Sequence, residues 1–370
     1  MKICIVLSTR PEIIKLAPII KILQSKKKNF FLVNTNQHYI DIMSKVFFNH
    51  FKIPKPKYNI RATTKTHGAF FSKTIYGIEK ILFKEKPDYL IVQGDTNTSL
   101  AGCLAASIYN RKFSDTIKKI KIVHVEAGLR AFDEKIPEEI NRRLIDQLSN
   151  ILFPPTKIDV NNIKKENLFN KKIYKVGNTI SDVIKTYLPQ IKKNKILKKF
   201  GLKKKKYFLV TAHRPESIDN INNLKILLKC FEKIGKLFNI KFIFPVHPRT
   251  QKILKKIKNI KLEFVKFYKP LEYLDFMKLM IDAKIIFTDS GGIQEEASIV
   301  GVPCITLRTT TERQITIIKK TNIITGYNPT KILNAAKKFY YKKINKNNFF
   351  GNGDVSKKIY KKLLINLNKK

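Results

Sequence analysis

The chain has 370 residues, 43% of them hydrophobic, with a formal net charge of +46 and four cysteines. That is enough for about two domains with real cores, and no stretch reaches the roughly 18 uninterrupted apolar residues of a membrane span. Cys4, Cys103, Cys230 and Cys304 stand singly inside apolar segments, without the paired spacing of a zinc site or a disulfide framework, and read as small core residues.

The opening KICIVLS is apolar for only a few residues before Arg10 and Glu12 interrupt it. It makes a poor signal peptide and a good first strand, so a cytoplasmic protein is expected. The strand ends in STRPEIIKLAP, where Arg10 precedes Pro11 at a helix start and Lys15 follows on that helix, which runs from about Glu12. A Pro-started helix with ordinary surface charges would look the same. No G-x-G-x-x-G stands here, so this first turn is not a dinucleotide site.

FFLVNT, DYLIVQG and IKIVHVE repeat the scheme of strand, polar loop and helix-period segment. The last two are near-continuous apolar runs, as strands buried on both faces should be. The product is a doubly wound α/β domain. VQGDTNTSLAG places Asp95 directly after a buried strand and before a small-residue helix start, where it either caps that helix or presents a rigidly held carboxylate. The densest patch is HVEAGLRAFDEKIPEEINRR. Glu126 ends a strand, Gly128 permits a tight turn, and Glu138 and Glu139 follow Pro137 at a helix entry, where acids suit the positive end of the helix dipole. That account covers Glu138 and Glu139 and leaves Glu126 unexplained.

A lysine-rich connector, KKNKILKKFGLKKKK, leads to a second series of strands, YFLVTA, IKFIFPV, KIIFTD and VPCITL, so the same architecture is used twice. In such folds ligands sit outside the carboxyl ends of strands, and the unusual polar clusters of both halves fall at such ends, which points to a cleft between two domains. TAHRPESID begins the second half as STRPE begins the first, and His213 beside Arg214 reads as an anion contact or proton donor. PVHPRT carries His247 and Arg249 at the next strand end. In TDSGGIQEEA, Gly291 and Gly292 leave the amides of a helix N-terminus open to a phosphate. Ser290 is placed to cap, but a capping box from it would want Glu at 293, where Ile stands. Glu296, about one turn in, could accept hydrogen bonds from ribose hydroxyls. TLRTTTERQ adds Arg308, Glu312 and Arg313. Together these make a nucleoside-diphosphate site. The final VSKKIYKKLLINLNKK reads as a basic amphipathic helix that packs back on the first domain or meets a membrane surface.

The positive charge is nearly all lysine, spread along helices and linkers, which suits a solvated surface or a field that attracts anionic substrates. A nucleic-acid binder would concentrate arginines and aromatics on one element, so no nucleic-acid partner is expected. Most of the few arginines instead gather in the short polar clusters above, where a planar fork grips phosphate or carboxylate.

In order, and over nearly the whole chain, STRPEIIKLAP, QGDTNTSLAG, HVEAGLRAFD, PEEINRR, VGNTISD, TAHRPESID, PVHPRT, TDSGGIQEEA and GVPCITLRTTTER resemble the non-hydrolysing UDP-N-acetylglucosamine 2-epimerases. The resemblance implies two Rossmann-like domains of the glycosyltransferase B type, usually in a homodimer, that interconvert UDP-GlcNAc and UDP-ManNAc for polysaccharide biosynthesis. The expected boundaries are 1–175, 176–352 and a returning helix at 353–370. Carried over by position, Arg10, Lys15, Asp95, Glu126 and Glu138 match first-domain active-site residues, and His213 matches the histidine that meets the diphosphate. Phe276 corresponds to a uracil contact, and Ser290, Gly291, Gly292, Glu296 and Arg313 match the UDP cradle. Ser8, Glu272 and TERQIT depart from the usual pattern, the last near the sugar pocket. Gln37 and His247 resemble parts of a second UDP-GlcNAc site found in bacterial relatives. The implied chemistry, elimination of UDP to a 2-acetamidoglucal and re-addition, calls for no metal, NAD or other redox cofactor. A hydrolysing epimerase, an epimerase of a modified sugar and a glycosyltransferase of the same fold are the rival readings.

Overall fold

The computed structural model describes all residues except 37–46, 63, 65, 113–118, 215–219, 247, 258–259 and 369–370, and the side chains of 248–249 and 367–368. Two compact units emerge, one of residues 1–185 with 350–370 and one of 186–349.

The first unit is built on β1 (Lys2–Leu7), β2 (Asn29–Asn34), β3 (Tyr58–Asn59), β4 (Tyr89–Gln93), β5 (Lys121–Val125), β6 (Ile151–Phe153) and β7 (Lys172–Ile173). Among the described residues they form one sheet in the order β3-β2-β1-β4-β5-β6-β7, with every pairing parallel. Helices cover both faces of such a sheet, so its central strands must be apolar on both sides. Ile3 to Leu7 and Tyr89 to Val92 are accordingly inaccessible to water. The order reverses between β1 and β4, and the crevice at that reversal is where parallel sheets accept ligands.

The second unit repeats the plan with β8 (Tyr207–Thr211), β9 (Lys241–Pro245), β10 (Val265–Tyr268), β11 (Ile285–Thr288), β12 (Cys304–Thr306) and β13 (Asn322–Ile324). Their order is β10-β9-β8-β11-β12-β13, again parallel throughout. Its core is aromatic: the Phe208, Phe231, Phe242 and Phe287 rings pack at centroid distances of 4.8 to 5.8 Å. Each such side chain contributes about 1.5–3 kcal/mol by leaving water.

The last helix, Val355–Asn368, lies on Arg10–Ser25 and buries Val355, Ile359 and Leu363. Asp182 accepts from the amides of Val355 and Ser356 at 3.0 and 2.8 Å, satisfying the start of that helix. The amphipathic pattern of this segment therefore serves internal packing. Among the described residues no helix is long and apolar enough to cross a membrane. All four cysteines are free and buried, and burial pushes the Cys230 thiol up to about 11 and that of Cys304 to about 12.

Candidate functional site

In the first unit the carboxyl ends of β1, β4 and β5 bring Lys15, Asp95 and Glu126 to the sheet's switch point. The helix Arg10–Ser25 starts with Pro11 in its first turn. There the Glu12 carboxylate turns back to accept from the amides of Ser8 and Thr9 at 3.0 and 2.6 Å, and from the hydroxyl of Thr96 at 2.7 Å. Burial pushes the Glu12 carboxyl up, against the pull of those hydrogen bonds. One turn on, the Lys15 ammonium is buried and meets both Glu126 oxygens at 2.8 and 2.6 Å, while Gln93 donates to the same carboxylate at 2.6 Å. The alternative of ordinary surface charges on this helix is thereby overturned. Arg10 lies over the Phe47 ring at 4.8 Å.

Glu126 adopts φ +74°, a left-handed conformation uncommon for any side chain but glycine. The turn is enforced from below. Gly128 has φ +80°, and a Cβ there would collide with the Asp159 carbonyl, so only glycine fits.

At the start of the helix that follows Asp95, the Thr96 hydroxyl takes the Ser99 amide at 3.0 Å, and the Asp95 carboxylate pairs with buried Arg142 at 2.6 Å. Arg142 in turn donates to Glu139 at 2.7 Å. Glu139 is fully buried rather than a solvated helix-start acid, and also accepts from the amides of Ala131 and Phe132 at 2.8 and 3.0 Å. Glu138, one residue earlier in the helix Pro137–Leu148, is half-buried.

In the second unit Asp289, at the end of β11, accepts from the amides of His213 and Arg214, both at 2.8 Å. Its other oxygen faces the His213 Nδ1 at 3.3 Å, and the imidazole remains 47% exposed. The switch point between β8 and β11 thus holds an accessible histidine beside the start of the helix Gly291–Val300. Ser290 makes no side-chain cap there. A Cβ on Gly291 would run into the Glu312 carboxylate, whereas one on Gly292 would meet nothing within 4 Å. The space beside the Gly292 Cα is therefore open, at the positive end of the helix dipole. Arg313 donates to Glu312 and Glu295 at 2.7 and 3.1 Å. Arg308 reaches Glu312 at 3.1 Å through Nη1, and its buried Nη2 has no hydrogen-bond partner among the described residues. An orphaned buried guanidinium donor is a place for an anion.

The structure therefore brings His213, Ser290, Gly291, Gly292 and Arg313 to one strand end of the second unit. Phe276 sits half-buried on Tyr273–Asp282, a helix that packs on Gly291–Val300, where Glu296 is buried. Sequence reasoning missed Glu12, Gln93, Asp289 and Glu295, and misread Glu139. The spacing of Glu139 and Arg142, three apart on one helix face, was the one local signal for their pairing. Gln37 and His247 lie outside the described residues, as does the Arg249 side chain.

The family model for UDP-N-acetylglucosamine 2-epimerase matches residues 21–364. A UDP-N-acetylglucosamine 2-epimerase of Methanococcus maripaludis is 47% identical over 363 residues, spanning 96% of this chain and 96% of the relative. The crystal structure of the Methanocaldococcus jannaschii UDP-GlcNAc 2-epimerase in complex with UDP-GlcNAc and UDP matches with a TM-score of 0.89 and 44% identity, over 99% of this chain and 100% of that one. A UDP-2,3-diacetamido-2,3-dideoxy-D-glucuronate 2-epimerase of Pseudomonas aeruginosa is 34% identical, with 97% and 98% covered.

Proposed function

The chain belongs to the UDP-N-acetylglucosamine 2-epimerase family, and on that premise we propose that it is a non-hydrolysing epimerase that inverts C2 of UDP-GlcNAc to give UDP-ManNAc. The observation that carries this reading is the open helix start at Gly292, flanked by His213, Arg308 and Arg313, in a unit whose counterpart holds carboxylates at its own switch point. The M. jannaschii relative, crystallised with UDP-GlcNAc and UDP, supports the ligand class.

The C2 proton of the sugar has no neighbouring carbonyl carbon to acidify it. Departure of UDP from C1 builds oxocarbenium character next to that C–H. A carboxylate then takes the proton, the C1–O bond breaks, and a 2-acetamidoglucal and UDP result. Proton delivery to the opposite face of C2, with the C1–O bond re-forming, completes the inversion. Asp95, Glu126 and Glu138 divide the proton transfers. Arg10, His213 and the amides at Gly291 and Gly292 stabilise the leaving diphosphate. Lys15 holds Glu126, Arg313 and Ser290 line the UDP cradle, Glu296 takes the ribose and Phe276 the uracil. The active form in this reading is a cytoplasmic homodimer feeding polysaccharide biosynthesis.

Proton NMR of UDP-GlcNAc with the purified protein in heavy water tests this. UDP-ManNAc should appear with deuterium at C2 in both epimers. Free ManNAc with UDP would indicate a hydrolysing enzyme, and no reaction would indicate a glycosyltransferase awaiting an acceptor. A second reading, a sugar modified at C3 or C6, draws on the P. aeruginosa relative and on TERQIT near the sugar pocket. Faster turnover of a UDP-2,3-diacetamido sugar than of UDP-GlcNAc would establish it.

A further inference from the structure

The proposed reaction gives no role to one buried charge cluster of the first unit. His124, on β5, is 1% exposed and Asp146, on Pro137–Leu148, is fully buried. The His124 Nδ1 stands 2.7 Å from the Asp146 Oδ1, and its Nε2 stands 2.9 Å from the Gly94 carbonyl. The Asp146 Oδ2 accepts from the Gly128 amide at 3.0 Å and from Arg130 at 2.8 Å. Arg130 continues to Glu166 through two bonds of 2.7 and 2.6 Å.

Two features of this arrangement go beyond core packing. First, its outer contacts are the residues next to the proposed acid and base groups. Gly94 immediately precedes Asp95, and Gly128 lies two residues after Glu126. The same helix holds Asp95 directly, Asn141 through the backbone carbonyl at 2.9 Å and Arg142 through the carboxylate. Second, both partners of the imidazole are acceptors. A carbonyl oxygen requires N–H at Nε2, and a bare Nδ1 lone pair 2.7 Å from a carboxylate oxygen would be repelled. A ring that donates from both nitrogens would satisfy both acceptors. Arg130 lies between Asp146 and Glu166 and pairs with both, which is how a buried charge is tolerated. Burial alone would push the Asp146 carboxyl up, but His124 and Arg130 outweigh it and hold the carboxyl below its usual range.

We propose that His124 and Asp146 are positioning residues for the epimerisation, tying the Asp95 turn at Gly94 to the Glu126 turn at Gly128 so that the two carboxylates keep one fixed spacing. The inference rests on the function proposed above. An elimination followed by re-addition passes through a neutral glucal that the carboxylates must address in turn. A loosened spacing slows the proton transfers and lets the intermediate escape, while the UDP cradle of the second unit is untouched.

The test uses two variants. An Asn amide overlays the Nδ1 of a histidine and a Gln amide overlays the Nε2. His124→Asn keeps the bond to Asp146 and loses the one to Gly94, and His124→Gln does the reverse. We expect H124N to lose about a hundredfold in kcat, the penalty of a misplacement near 1 Å, with KM within about twofold. It should also release 2-acetamidoglucal and UDP during turnover. H124Q, which cuts the same tie at its Asp146 end, should lose a comparable factor in kcat. Nitrogen-15 NMR of the unaltered protein should show both His124 ring nitrogens protonated, a readout that does not depend on either variant folding. Wild-type kcat in either variant, a change in KM alone, or one unprotonated ring nitrogen would each overturn the inference. Failure of the unaltered protein to epimerise UDP-GlcNAc would instead overturn the function on which it rests.

Discussion

Lys15 and Glu126 are 111 residues apart in sequence and joined through both carboxylate oxygens, with neither side chain more than 7% exposed. Breaking a buried pair by removing one partner costs about 3–5 kcal/mol, because the other charge is left stranded. Lys15→Met should therefore lower the urea midpoint strongly, and adding Glu126→Gln should restore part of that stability. A double variant as unstable as the sum of the single ones would show that the pair is not energetically coupled.

Glu126→Gln and Asp95→Asn should each reduce kcat by about 10²–10⁴-fold if the carboxylates transfer protons. Asp95→Asn has the milder effect on stability, since Asp95 is partly exposed and Arg142 retains its bond to Glu139. The assay is the rate of deuterium entry at C2. Near-normal entry in both variants would remove these groups from the proton transfer.

The two glycines of the second unit should behave differently. Gly291→Ala drives a methyl into the Glu312 carboxylate and disturbs the Arg308 and Arg313 pairs, so it should lower the melting temperature. Gly292→Ala meets open space and should leave the melting temperature unchanged. If the diphosphate lies on those amides, the methyl displaces a charge-assisted hydrogen bond of about 1.5–3 kcal/mol, roughly a ten- to hundredfold loss in UDP affinity by calorimetry. Unchanged affinity in G292A would place the diphosphate elsewhere.

Acid stability carries a signature of Glu85. Hydrogen bonds from Lys2, Lys57 and Tyr58 hold its carboxyl down to about 2, from an ordinary 4.5. A carboxyl depressed by folding adds stability that is complete above its unfolded pKa and is lost as pH falls toward the folded one. Between pH 4.5 and 2 the unaltered protein should thus lose stability more steeply than Glu85→Gln. Parallel acid limbs in the two would show that these bonds do not favour the ionised form.

How much of this was legible follows from length and burial. Strands of four to six residues with continuous apolar runs, β1, β4, β5, β8 and β11 among them, declare themselves because both faces of a parallel sheet are covered. β3 and β7, at two residues each, carry too few side chains to show any period, and β6 and β13, at three, show little more. Strand ends could be located in the same way, so the positions of Arg10, Asp95, Glu126, His213 and Gly291 relative to the sheets were accessible from the sequence alone.

The sequence by itself determined two parallel α/β units, the placing of polar clusters at their strand ends and, through ordered motifs, the family. Only the tertiary structure decided the partners of each charge. Nothing local says that Lys15 seeks Glu126, that Arg142 pairs with Asp95, or that Asp146 joins two turns through His124. Those choices are made when distant segments are buried together, because a charge removed from water must find its complement among whatever the fold places beside it.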